Sequence, residues 1–285
     1  MHIGAGKGWL MLPAAALLLA TTVLGCAPAA VPITEAELGG ASRLSGTVTE
    51  AGSTTLQPVA EKLAAEFKKM HPDANVVVQG GGSSVGVKSA AQGIVDMGAA
   101  SRELKDSEKG TVQEHLLAKD AIAIVTHPSN KVSGLTKEQV QKIFAGEITR
   151  WGQVGGQSKE IHVVAREEGS GTRDAFQEMV MEKDVITKNA ILQPSNGAVR
   201  TTIVGDGQAI GFLSFGYLDP SVKAVDIGGV AATVENAKAG KYPIVRPLFF
   251  LTKGQPHGLV KAFIDFCMSP EGNKIVEKEG YLSPE

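Results

Sequence analysis

Arg166 stands three residues ahead of Gly169-Ser170-Gly171-Thr172, in the stretch VVAREEGSGTRDAF. Two other turns use the same residue types: Gly52-Ser53-Thr54-Thr55 and Gly80-Gly81-Gly82-Ser83-Ser84. Each follows a strand-like run and precedes a helix-like one. Each puts hydroxyls and bare glycine backbone where the first helical N–H groups lack partners. A helix start carries roughly half a positive charge, and glycine lets a ligand come close to the backbone. A tetrahedral oxyanion suits that chemistry. Taken singly, each turn reads as an ordinary cap, and GGGSS as a linker. Three of a kind, two of them with an arginine nearby, point to a bound anion.

The arginines sharpen this reading. Arg166 ends a strand-like run, and a guanidinium offers a planar fork of donors to oxyanion oxygens. Glu168 is its expected partner, fixing its orientation. Arg102, beside Ser101 in GAASRE, is a second candidate fork, with a solvated loop arginine as the plain alternative. Asn196 in PSNGAV either caps its own helix or donates to a ligand, and the sequence favours the cap.

An enzymatic alternative exists. Gly82 to Gly86 reads GSSVG and follows a strand, matching a loose nucleophile elbow with Ser84 as nucleophile, Asp226 as acid and His257 as base. The same stretch lacks the glycine before Lys88 that a phosphate-cradling P-loop needs. His71, His115, His127 and His162 have no metal-ligand spacing, so neither a metal nor a cofactor is expected.

These residues need elements to hold them. Val59, Leu63, Phe67 and Met70 recur at helical spacing before Pro72. A helix is expected over Val85 to Gln92, and another opened by Thr136 with Gln139 three residues on. GTRDAFQEMVME and SNGAVRTTIVGD read as helices, as do two terminal segments, the second opening at Pro270. ANVVVQ, EIHVVAR, AIGFLSF and Ala121 to Thr126 read as strands. Strands alternate with helices, which argues for an α/β protein of two similar lobes. Ala121 to Thr126 and Arg246 to Thr252 are the expected crossings between lobes. The division is residues 44–124 with 243–285 for one lobe and 125–242 for the other.

At 285 residues the chain is long enough for a real core. Lys7 and the apolar run Trp9 to Leu24 resemble an export signal, ending in Val23-Leu24-Gly25-Cys26. The expectation is a leader over 1–25, a lipidated Cys26 and a flexible tether over 26–43. That places the chain outside the cytoplasm, anchored to a membrane or, where an ordinary secretory signal is cleaved near Ala27 to Ala30, free in the periplasm. Only Cys267 then remains, expected as a small buried residue, so no internal disulfide can form. Net formal charge is −2, one unit more negative without Lys7. Basic runs are absent, which argues against nucleic acid.

AGSTTLQPVAEKLAAEF, GGGSSVGVKSAAQGIVDMGAASREL, REEGSGTRDAF and GKYPIVRPLFF together resemble the phosphate-binding lipoproteins of ABC-type phosphate importers. The resemblance implies a two-lobed periplasmic-binding-protein fold of type II-like design, closing on one dehydrated phosphate, and a monomer that delivers it to a permease. It carries ligand roles to Thr54 and Thr55, to Ser84 with Ser83 beside it, and to Arg166, Ser170, Gly171 and Thr172. Some members have an aspartate after the GAS segment that accepts from protonated phosphate; here Ser101-Arg102-Glu103 stands there. Phosphate is told from sulfate by an acceptor that reads its proton. Glu103, a backbone carbonyl or a hydroxyl is left for that task, with sulfate or another tetrahedral oxyanion the alternative ligand.

Overall fold

The computed structural model describes residues 44–284; the expected leader, tether and Cys26 lie outside them. The chain opens with β1 (Gly46–Gly52), α1 (Gln57–Met70), β2 (Ala74–Gly80), α2 (Ser83–Gln92) and β3 (Met97–Ala100). The long β4 (Gln113–Thr126) follows, then β5 (Gly134–Leu135), α3 (Lys137–Ala145) and β6 (His162–Arg166). Next come α4 (Gly171–Phe176), β7 (Ile191–Gln193), α5 (Asn196–Gly205) and β8 (Ala209–Ser214). Then β9 (Lys223–Ala224), β10 (Asp226–Ile227) and α6 (Val234–Lys238) lead to β11 (Val245–Thr252), α7 (Gly258–Cys267) and α8 (Pro270–Lys278).

Local chemistry explains many of these boundaries. Thr136 and Gln139 form the expected reciprocal capping box at the start of α3. Ser269 caps α8, with Pro270 in its first turn. Val59, Leu63 and Phe67 are buried on α1, but Met70, its last residue, is exposed. α2 starts at Ser83, two residues before the expected Val85, because Gly82 supplies the break. α4 ends at Phe176 and continues as a π-turn over Gln177–Met181. Cys267 is buried, and burial pushes its thiol up.

Strand directions decide where the turns point. β2, β1 and β3 are parallel neighbours. β3 is antiparallel to β11, and β11 to β4, so β3 runs in the direction of β4. β8 is antiparallel to β4, while β6 and β7 are parallel to β8, so these run against β4. β11 pairs with Gln113 to Ala121 of β4, and β8 with Ile122 to Thr126. The two halves of the sheet therefore lie along successive parts of one strand, with their parallel strands opposed. The carboxyl ends of β1, β2 and β3 face those of β6 and β7 across the middle of β4. Ligands of open α/β sheets bind at such carboxyl edges.

Two apolar cores flank that junction. One gathers Ala121 to Val125, Phe144, Phe176, Phe212 and Ile244. The other gathers Leu56, Leu63, Phe67, Leu117, Ala118, Leu248 and Phe263. The chain thus changes core between Ala118 and Ala121 and returns between Ile244 and Leu248. Leu282 adds to the junction, exchanging backbone hydrogen bonds of 2.8 and 2.9 Å with Lys119. This is a two-lobed α/β fold with a cleft where the carboxyl edges meet.

Candidate anion-binding site

Four turns converge on the middle of β4. β1 ends at Gly52, and Ser53 to Thr55 turn into α1, with Ser53 Oγ accepting from the Thr55 N–H at 3.1 Å. β6 ends at Arg166, and Ser170 caps α4 by accepting from the Arg173 N–H. β7 leads to α5, capped by Ser195. Asn196 is therefore not the cap that the sequence favours. Its side chain is fully buried and donates from Nδ2 to Thr55 Oγ1 at 3.0 Å. The turn from β2 meets the turn from β6 directly: the Ser84 N–H donates to the Gly169 carbonyl at 3.1 Å.

Gly171 shows how tight the meeting is. A Cβ there would collide with Ser83 Oγ and stand 2.7 Å from Ser101 Oγ, so a side chain has no room. Thr172 Oγ1 lies 3.2 Å from Thr55 Oγ1, across the junction. Ser83 is fully buried and accepts from the Ser101 N–H at 3.0 Å. Ser84 stands half-buried at the rim. Of the two serines, Ser83 is the one set among the buried hydroxyls.

The three arginines play different parts. Arg166 is 2% exposed and donates from Nε to the Gln193 carbonyl at 3.1 Å and from Nη2 to the Pro194 carbonyl at 2.8 Å. Glu168 is exposed and forms no ion pair with it, which corrects that expectation; carbonyls take its place. Among the described residues, no carboxylate lies within ion-pair distance of Arg166. Burial, then the positive charge of Arg246, push its guanidinium down to about 10. It remains a cation at neutral pH, with Nη1 uncommitted.

Arg102 is the clearest correction. Nη1 donates to the Glu103 carbonyl and Glu108, Nη2 to Glu108 and Ser84 Oγ, and Nε faces Asp174 Oδ2 at 2.9 Å. Four of its five N–H groups are hydrogen-bonded within the protein, and Nε is drawn into an ion pair with Asp174, so Arg102 is committed to protein partners rather than held open for an anion. Glu103 is exposed and offers Arg102 its carbonyl, so its carboxylate does not stand in for the missing aspartate.

Arg246 and Asp120 were not singled out from the sequence, yet they organise the site. They are register partners on β11 and β4, and both are buried. Arg246 Nε and Nη2 contact Asp120 Oδ2 at 3.1 and 2.8 Å. Burial raises the Asp120 carboxyl, and Arg246, with hydrogen bonds from Ser214 and Phe215, opposes that rise. Arg246 also donates to Thr55 Oγ1 at 3.0 Å and to Ser101 Oγ at 3.2 Å. Thr55 Oγ1 then accepts from both Arg246 and Asn196. Both lone pairs are used, so its proton is left to donate, and Thr172 Oγ1 lies 3.2 Å away to accept it. The signal was present: a lone acid in AKDAIAIV and a lone base in IVRPLFF, each inside an apolar strand, where buried charges need partners.

Two phenols brace the same turn from behind. Tyr217 donates to the Thr54 carbonyl at 2.6 Å, and Tyr281 to the Thr55 carbonyl at 2.7 Å. The result is a buried cluster of hydroxyl donors around one unpaired cation, with Asp120 neutralising the other. Such a cluster suits a small oxyanion stripped of water.

Comparison with known proteins shows the family. Residues 40–271 match the PBP superfamily domain. The chain is 32% identical to the phosphate-binding protein PstS of Bacillus subtilis, over 96% of this chain and 92% of that one. It is 30% identical to PstS of Pseudomonas aeruginosa, over 94% and 93%. A putative phosphate ABC transporter substrate-binding protein with bound phosphate, from Clostridium perfringens, superposes with a TM-score of 0.82 at 41% identity. That match covers 84% of this chain and all of the other. An ABC-type phosphate transport receptor from Vibrio cholerae gives 0.70 at 34% identity, over 84% of this chain and all of that one. The chain belongs to the PBP superfamily and, within it, to the family of PstS phosphate-binding proteins.

Proposed function

We propose that this protein captures inorganic phosphate outside the cytoplasm and hands it to the permease of an ABC importer. The observation that carries the reading is the convergence of Thr55, Thr172, Ser101 and Asn196 around one buried junction, with Arg166 beside it lacking a carboxylate partner. Thr54, Thr55, Ser83, Ser101, Arg166, Ser170, Gly171, Thr172 and Asn196 form the proposed contact set, with Ser84 at its rim. Closure of the lobes removes water, so each hydrogen bond to the anion strengthens. The proposed lobes are residues 44–124 with 243–285, and 125–242; the change of core supports a division within β4 and β11 but puts it a few residues away, between Ala118 and Ala121 and between Ile244 and Leu248.

The protein is a carrier, and one arrangement supports that over a serine hydrolase. Ser84 is engaged by Gly169 and Arg102, Asp226 lies on β10 paired with β5, and His257 is the residue before α7. Among the described residues, no hydrogen bond joins these three. A lipid on Cys26 would hold the carrier, as a monomer, near its permease. Cys26→Ser then releases the protein from membranes, and unchanged retention would argue against the anchor.

Calorimetry with phosphate and sulfate across pH 5 to 9 tests the ligand. Tight phosphate binding with weak sulfate binding is expected. Equal affinities would reassign the site to tetrahedral oxyanions in general, and no binding of either would remove the proposal.

A further inference from the structure

The segment after β3 meets the start of α4 in a network of four charges. Arg102 holds both oxygens of Glu108, at 2.7 and 2.8 Å. Its Nε lies 2.9 Å from Asp174 Oδ2, and Lys105 Nζ reaches the same oxygen at 3.0 Å. Two cations and two anions cancel, unlike the anion site beside them. The Arg102 side chain is 3% exposed, against 24% for Asp174, so the arginine is the buried hub.

The network ties together parts that pack in different cores. Leu104, two residues after Arg102, sits with Phe249 and Leu251 of β11. Ala175 and Phe176, directly after Asp174, sit in the core that holds Phe144 and Phe212. Ser101 and Thr172, both in the proposed contact set, adjoin the two ends of the link. Arg102 and Asp174 can therefore meet only when the turn after β3 and the turn before α4 are brought together.

We propose that Arg102 is a positioning residue that fastens the start of α4 to the segment after β3 and so sets how long the bound anion stays. The inference rests on the reading of this site as a phosphate receptor. Arg102 acts through its ion pair with Asp174, two residues beyond Thr172. Release must part the two turns and break the contacts of Arg102 and Lys105 with Asp174. Capture by separated turns precedes those contacts. The effect therefore falls on dissociation rather than association, as expected when one member of a buried charge pair is lost.

Rapid-mixing kinetics of phosphate binding and release by the full chain, with the melting temperature of the ligand-free protein, tests this. Arg102→Met and Asp174→Asn should each speed release by about tenfold or more, with association changed by less than about twofold. The double variant should release no faster than the faster single one, since both act through one contact. Arg102→Lys, which can still reach Asp174, should recover part of the loss. Unchanged release rates, or effects that multiply in the double variant, would overturn the proposal. So would a fall in ligand-free melting temperature with binding and release altered together, the mark of a merely structural role. A wild-type chain that does not bind phosphate would instead overturn the functional reading, and this inference with it.

Discussion

The Thr55 hydroxyl shows how single side chains set polarity in this site. Arg246 and Asn196 both donate to it, so its proton points away from them, toward Thr172 Oγ1. Arg246 thus shapes the site without needing to touch a ligand, and Asn196 helps to orient the same hydroxyl. Arg166 is different: it is buried, charged and held only by carbonyls. Arg166→Ala should weaken phosphate binding by about 2–5 kcal/mol, because anionic oxygens lose a charged partner in a dry place. An unchanged dissociation constant in calorimetry would remove Arg166 from the site. Arg166 was legible in the sequence because it stands beside a Gly-Ser-Gly-Thr turn. Arg246 was marked only as a lone base in an apolar strand; its pairing was not legible, because Asp120 is 126 residues away and only sheet register brings them together. The role of Arg102 was hidden for a similar reason: its ion-pair partner Asp174 is far along the chain.

At the scale of elements, strands and helices with apolar periodicity were readable, and the polar first part of β4 was not. β4 was expected from Ala121, yet it starts at Gln113, eight residues earlier. That first part carries Glu114, His115, Lys119 and Asp120, and its pairing with β11 overrides the weak local pattern. β1 holds a related anomaly. Glu50 is buried there, and its Oε2 has no hydrogen-bond partner among the described residues. Burial, then the nearby charge of Glu61, push its carboxyl up to about 8. The folded protein thus holds this proton over a range where the unfolded chain has released it. Linkage then requires stability to fall as pH rises from the ordinary glutamate value toward about 8. Glu50→Gln should flatten that fall and melt above wild type at pH 8, while the two converge at pH 4. Parallel melting curves across this range would show that Glu50 does not titrate as described.

Across the whole molecule, opposed strand directions explain why separate turns share one centre. The sequence shows the turns but not their orientation, because orientation depends on the order of strands in the sheet. One hydrogen bond reports directly on the closed arrangement: Tyr217 follows β8, and Thr54 follows β1. Tyr217→Phe should weaken phosphate binding by about 0.5–1.5 kcal/mol and leave the ligand-free melting temperature unchanged. Full-strength binding by that variant would mean the phenol contributes nothing to closure.

The last residues of the chain reach the same centre. Leu282 lies along β4 at Lys119, and the neighbouring Tyr281 extends its phenol to the Thr55 carbonyl. Shortening the protein at Gly280 would thus cut away a prop beneath the ligand cradle rather than trim a dispensable tail. Affinity should drop in the shortened protein, and a tag fused at that end should be judged by a phosphate titration before its effect is taken as neutral.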